Sequence, residues 1–340
     1  MMDRLKISLI FTVAMIAVLF FSIPVLAVRI KLATKAPANF KSAKIVKKMT
    51  REIEEKTDGK VRFKVYYGGV KGTGRDLLLK MKSGEIQGGE FMAGEVSPMS
   101  NDFQLMGIAF AFNNYEEVDF ILKKLAARLR ERMEKRGYVV LGWIEMGFTY
   151  IMSVEPIGTV DDLKGKKVWI PQGDRVNQAF FEALGVSPIP MAFADVMLAL
   201  QTGQIDTVAN SFVGAIAFQW HTKIKYISDI PLSYSYGLFM ITKEAYDKIP
   251  DEHKETVHKI VDRYFTEMNM DVRMNNIDSA RTLVKQGVQF LPVTPEQKKE
   301  LKEIIDKVKE QLTGTEFPRE GLIKMQQYLN EYRGIPSERQ

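Results

Sequence analysis

From residue 28 onward the chain alternates short apolar runs with amphipathic stretches. Val28 to Thr34 reads as a strand, followed by a loop through Pro37. Val46, Met49 and Ile53 then fall on one face at helical spacing, and the stretch stops at Asp58-Gly59. Val61, Phe63 and Val65 alternate with Arg62 and Lys64, which predicts a second strand. The glycine-rich turn Gly68 to Gly74 leads into a helix capped by Asp76 and stopped at Gly84, and a third strand runs through Glu90 to Met92. These elements make a βαβαβ unit.

The order returns between Lys167 and Ala209: strand Lys167 to Pro171, helix Asp174 to Leu184, strand near Ile189, helix from Asp195 to Gly203, strand Asp206 to Ala209. Asp76 to Gln87 and Asp195 to Asp206 echo one another, each with an expected Asp cap, an apolar helix, a Gly and then an Ile. Duplication and common helix-stop chemistry explain the echo equally well. Two such units predict two α/β lobes whose strand ends converge on one cleft, since open parallel sheets bind ligands beyond the carboxyl ends of their strands. Between the units, Tyr115 to Arg136 has helical core spacing, and Tyr138 to Trp143 and Thr149 to Val154 read as strands crossing between lobes. Polar helices over Lys254 to Val284 and Pro295 to Leu312 would brace both from behind. The expected division is residues 28–152 with about 240–280 in lobe I, and 153–239 with about 281–340 in lobe II.

The first residues add a different pattern. Arg4 and Lys6 precede an unbroken apolar run from Ile7 to Phe21 and then Pro24-Val25-Leu26-Ala27, which reads as a secretory signal peptide cleaved after Ala27. The run is short for a membrane span. The 340 residues include no cysteine, so there is no disulfide, no thiolate metal site and no lipid-modified cysteine after the leader. A freely diffusing secreted chain points to the periplasm. Loss of Arg4, Lys6 and Asp3 lowers the net charge of +6 by one. The remaining excess is dispersed, with Lys and Arg alternating with Glu along Lys44 to Lys60 and Lys123 to Arg136, the pattern of solvated helix faces and not of a nucleic-acid stripe. Three histidines, His221, His253 and His258, show no zinc-binding spacing, and neither a nucleophile elbow nor a phosphate loop occurs. No metal or other cofactor is expected.

Several segments carry a likeness to a known family. Lys31-Leu32-Ala33-Thr34-Lys35-Ala36-Pro37, Val65-Tyr66-Tyr67-Gly68-Gly69, Leu141-Gly142-Trp143 with Gly147-Phe148, Asp162-Leu163-Lys164-Gly165-Lys166-Lys167-Val168, and Pro190 to Phe193 with Ala199 to Asp206 occur in order along the chain. The chain resembles the DctP-type substrate-binding proteins of TRAP (tripartite ATP-independent periplasmic) transporters. The resemblance implies an α/β, two-lobed periplasmic-binding-protein fold, each lobe a βαβαβ-based sheet flanked by helices, joined by crossing strands and a long bracing helix. It also implies a non-enzymatic receptor that closes on a small molecule and delivers it to small and large membrane subunits of a TRAP permease, with no catalytic residue.

The family usually grips a ligand carboxylate with an arginine in a segment like "LKGLKIRVP", where this chain has Trp169. A second arginine often follows in "GFRxxTN", where this chain has Gly147-Phe148-Thr149 and then Ser153 in place of the asparagine. Asn210, matching the asparagine of "DGxENP", survives. Loss of both cations beside Phe148, Tyr150, Phe193 and Phe212 leads to the expectation of an apolar or aromatic ligand held by burial. The expected ligand-binding set is Trp169, Asn210, Phe148, Tyr150, Lys35, Glu145, Gln172, Met92, Phe193 and Phe212. An alternative keeps an organic acid and moves the cation to Lys35, Arg75 or Arg175, each just beyond an expected strand end. Two further readings are an ABC-type receptor, which would lack this motif series, and a periplasmic hydrolase working through Glu145 or His221.

Overall fold

The computed structural model describes residues 27–335. The leader expected over residues 1–27 lies, but for Ala27, outside them. Among the described residues no helix is long and apolar enough to cross a membrane.

In chain order the elements are β1 (Val28–Ala33), α1 (Lys41–Lys56), β2 (Val61–Tyr66), α2 (Gly74–Lys82), β3 (Gly88–Met92), α3 (Ala93–Val96), a 3-10 segment (Asn101–Gly107), α4 (Tyr115–Glu134) and β4 (Tyr138–Ser153). There follow β5 (Trp169–Pro171), α5 (Arg175–Ala183), β6 (Ile189–Met191), α6 (Val196–Thr202), β7 (Thr207–Asn210) and α7 (Phe212–Ala217). The chain ends with β8 (Tyr226–Ser228), β9 (Ser233–Thr242), α8 (Lys243–Asp247), α9 (Asp251–Lys285), β10 (Gln289–Leu291), α10 (Pro295–Gln311) and α11 (Arg319–Arg333).

Lobe I is built on β1, which pairs in parallel with β2 and β3. Ile45, Val46, Met49 and Ile53 of α1 pack on its Ile30 and Leu32. Lobe II contains the parallel pair β5 and β6, and Val168, just before β5, is bridged in parallel to Thr207 of β7. The two expected crossing strands are one. The mixed stretch Ile144 to Phe148 interrupts the alternation, yet β4 runs through it, with irregularities between Val140 and Gly142 and between Glu145 and Gly147. The first part of β4 pairs with β9 down to Thr149↔Ser233, and its last residues pair with β7 and β8. One strand therefore serves both lobes. β9 had no counterpart in the sequence reading; it joins β3 to β4 in the sheet of lobe I, although it starts within the span expected for lobe II.

Of the two expected aspartate caps, Asp195 holds the N-cap position of α6 and Asp76 does not hold that of α2. The residue before α2 is Thr73, leaving Asp76 inside the first turn, and Asp195 ends a 3-10 turn without capping α6 through its side chain. What the two segments share is the stop: Gly84 and Gly203 take left-handed backbones (φ +74° and +70°), and Ile86 and Ile205 are buried just after them.

Helix α9 contacts α1, β4 and α7, so it touches both lobes. Its Asn269 closes the open edge of β4, accepting the Glu145 N–H at 2.9 Å and donating to the Trp143 carbonyl at 3.0 Å. Asn269→Leu leaves both backbone groups unpaired and is expected to cost about 1–3 kcal/mol in chemical denaturation. Helix α10 packs on α5, whereas α11 packs on α4 and the 3-10 segment.

Candidate functional site

Strand registers show where the two parallel sets of strands end. The last residue of β3, Met92, stands opposite Gly237, and the last residue of β7, Asn210, stands opposite Tyr150. Both strands thus end toward the crossing of β4 and β9 at Thr149↔Ser233. The carboxyl ends of the two parallel sets face one another there, the arrangement in which such sheets hold ligands.

On the lobe I side the ends of β1 and β3 carry a compact polar cluster. Lys35 Nζ donates to both oxygens of Glu95, at 2.8 and 2.7 Å, with the two side chains 30% and 27% exposed. Glu95 Oε2 also accepts the Met92 N–H at 2.8 Å. Glu90 Oε2 accepts from the Thr34 hydroxyl at 2.6 Å and from the Lys35 N–H at 3.2 Å. Lys35, Met92, Glu90 and Glu95 are therefore one unit. The other expected cations stand apart from it or unpaired: Arg175 bonds Glu316 at 3.2 Å and is 77% exposed, and Arg75 is exposed at the start of α2.

On the lobe II side Trp169 is turned into the core and only 4% exposed. Its Nε1 donates to the Met191 carbonyl at 3.2 Å, and its ring packs edge-on against Trp220 and Phe193. Phe193 closes the outer side of this cluster, 43% exposed and beside exposed Phe218. Tyr150 stacks on Phe212 with centroids 4.1 Å apart, and burial raises its hydroxyl pKa. Asn210 Oδ1 accepts the Ser211 N–H at 2.8 Å, and its buried Nδ2 has no hydrogen-bond partner. Gln172 is exposed in the loop after β5.

Phe148 and Glu145 belong to neither face. They join a buried group at the crossing, where Phe148 packs on Tyr115 and Tyr234, and Glu145, 3% exposed, is gripped by Arg273 through contacts of 2.8 to 3.0 Å. Arg273 also bonds Asp119 at 2.6 and 2.8 Å. Burial nevertheless raises the Glu145 pKa, outweighing the guanidinium, while Arg273 is raised by Asp119 and Glu145. Tyr115 is raised by burial and then by the Glu145 charge. Sequence reasoning missed Arg273, Asn269, Tyr115, Tyr234 and Asn276, the last a residue of α9 that accepts the Val213 N–H at 3.2 Å. Nothing local marks them, because Arg273 is an ordinary cation of a polar helix until the fold brings it to a carboxylate 128 positions away.

Among the described residues there is no group of three or more His, Asp or Glu side chains placed to hold a metal. His221 Nδ1 lies 3.2 Å from the Ala215 carbonyl, and the Glu145 carboxylate is held by Arg273.

Comparison with known proteins follows the same lines. The chain is 23% identical over 299 residues to the C4-dicarboxylate-binding periplasmic protein DctP of Rhodobacter capsulatus, covering 86% of this chain and 90% of that protein. It is 27% identical over 178 residues to a solute-binding protein of Chromohalobacter salexigens, where the match spans 53% of the relative and 52% of this chain. The fold superposes on a TRAP periplasmic solute-binding protein from Ochrobactrum anthropi with a C-terminus bound in the ligand-binding pocket, with a TM-score of 0.83, 23% identity, and coverage of 92% and 98% of the two chains. It also superposes on one from Desulfovibrio salexigens with bound orotic acid, with a TM-score of 0.79, 18% identity, and coverage of 91% and 100%. Residues 32–314 match the profile of the bacterial extracellular solute-binding proteins, family 7. With five-sixths of its length under that profile and the two-lobed architecture to go with it, the chain belongs to family 7 of the bacterial extracellular solute-binding proteins, the DctP family.

Proposed function

We propose that the chain is a periplasmic receptor for a small organic acid, which it passes to the small and large membrane subunits of a TRAP permease. The family is one of binding proteins and not of enzymes. The observation that carries the ligand class is the Lys35 ammonium at the end of β1, part-buried and already holding a carboxylate by both oxygens. That is the chemistry a ligand carboxylate needs, at the strand end where ligands of open sheets are held. Relatives named for a C4-dicarboxylate or solved with orotic acid bind carboxylates too, which supports the same reading.

This reading takes up the relocated cation and sets aside the wholly apolar pocket. Trp169, first choice for an apolar wall, spends its N–H on Met191 and its surface on Trp220, which favours a role as a plug where the family has arginine. Phe193, half-open above it, offers a ring face to the carbon skeleton of the ligand. Asn210 Nδ2 is the polar group of lobe II that a ligand acceptor could satisfy on closure.

Calorimetric titration of the mature protein with orotate, succinate and other small acids is the test. Binding of at least one is expected, and Lys35→Gln should weaken it roughly 10- to 100-fold, the worth of one charge-assisted hydrogen-bond set. Full affinity in Lys35→Gln would refute the assignment of the cation. Recovery of only neutral apolar molecules from the natively purified protein would refute the ligand class.

A further inference from the structure

The Lys35–Glu95 pair poses a problem for any incoming acid. A bidentate carboxylate occupies two of the three ammonium donors. A ligand carboxylate at the same ammonium would also stand beside the Glu95 charge, and like charges repel steeply in a closed cleft. Glu95 therefore has to give way. It is tethered on one side by the Met92 N–H and on the other rests against the start of α2, where a Cβ on Gly74 would stand only 3.1 Å from Oε1. The absence of a side chain at Gly74 leaves the carboxylate room on that side. The next residue is Arg75, exposed and, among the described residues, without an ion-pair partner.

We propose that Glu95 is a resident competitor for Lys35, a placeholder for the ligand's carboxylate, and that Arg75 receives Glu95 when the ligand takes the lysine. The proposal rests on the organic-acid reading above and makes Arg75 a positioning residue that does not touch the ligand. It favours acids presenting a single carboxylate at this end of the cleft, because the exchange leaves two cations for two carboxylates. Glu90, already satisfied on one oxygen by Thr34 and the Lys35 N–H, remains an acceptor able to take a ligand hydroxyl.

The test is a double-mutant cycle on the mature protein, titrating wild type, Glu95→Gln, Arg75→Gln and the double variant with orotate and succinate. Glutamine at 95 keeps an acceptor for the Met92 N–H, so the loop fold is preserved. Glu95→Gln should bind roughly three- to fivefold tighter than wild type, the scale of a partly exposed ion pair, and Arg75→Gln weaker by a similar factor. In the Glu95→Gln background the Arg75 substitution should have no effect, a coupling that a general loss of positive charge would not produce. Equal or weaker binding by Glu95→Gln, or an Arg75 effect that persists in the double variant, would overturn the exchange while leaving the organic-acid reading intact. If wild type itself binds neither acid nor any other carboxylate, that reading falls and takes the exchange with it.

Discussion

Replacing Arg273 by Met is expected to destabilise the protein by about 3–5 kcal/mol, because it leaves Glu145 as a buried charge without a partner. The thermal midpoint should fall by roughly 5–15 °C. The loss should depend on pH in a defined direction. Burial holds the Glu145 pKa above its ordinary value even with Arg273 present, so the folded protein keeps this proton at pH values where the unfolded chain has released it. Its contribution to stability therefore weakens as pH rises through that window and recovers as pH falls. Without the guanidinium the pKa rises further, and a protonated Glu145 needs no counter-charge. The gap between wild type and Arg273→Met should accordingly be widest above the raised Glu145 pKa and narrow as pH falls below it. Adding Glu145→Gln should recover much of the loss, whereas a double variant no more stable than Arg273→Met would show that the damage lies in the lost packing of the guanidinium over the Tyr115 ring, 4.4 Å from its centroid.

Gly147→Val should cost about 3 kcal/mol and also disturb ligand closure. Gly147 has φ +91°, and a Cβ there would stand 2.7 Å from Asn276 Nδ2 and 2.9 Å from the Tyr115 hydroxyl. Backbone strain and overpacking both act at this one position, next to the irregularity where β4 leaves lobe I. Urea denaturation reads the stability. Binding of an organic acid by the folded variant, measured well below its midpoint, reads the closure. Gly147→Val/Asn276→Ala should regain part of the stability, since it removes the nearer clash and leaves the strain. An unchanged midpoint in Gly147→Val would mean that this backbone does not need glycine.

The parts of the fold legible in the sequence are those whose signals are local. The alternation of Val61, Phe63 and Val65, the helical spacing of Val46, Met49 and Ile53, and the stops at Gly84 and Gly203 each report a backbone state within a few residues. Asp76 misled because an aspartate suits a first turn as well as an N-cap, and the choice depends on how the preceding loop enters the helix. The site was legible only in part for a similar reason. Sequence marks Lys35 as a cation beyond a strand end, but its partner Glu95 is 60 positions away and chosen by the pairing of β1 with β3.

Residue order alone carries the two βαβαβ units, the motif series of the family and the replacement of its arginines by Trp169 and Thr149. The packed fold sets which way those residues face. It turned Trp169 inward onto Trp220, bound Lys35 to Glu95, made one strand of two apparent ones and paired part-buried Arg273 with buried Glu145. The physical reason is that burial and charge pairing are set by neighbours across the fold, and these come from segments more than a hundred residues apart as readily as from the next turn.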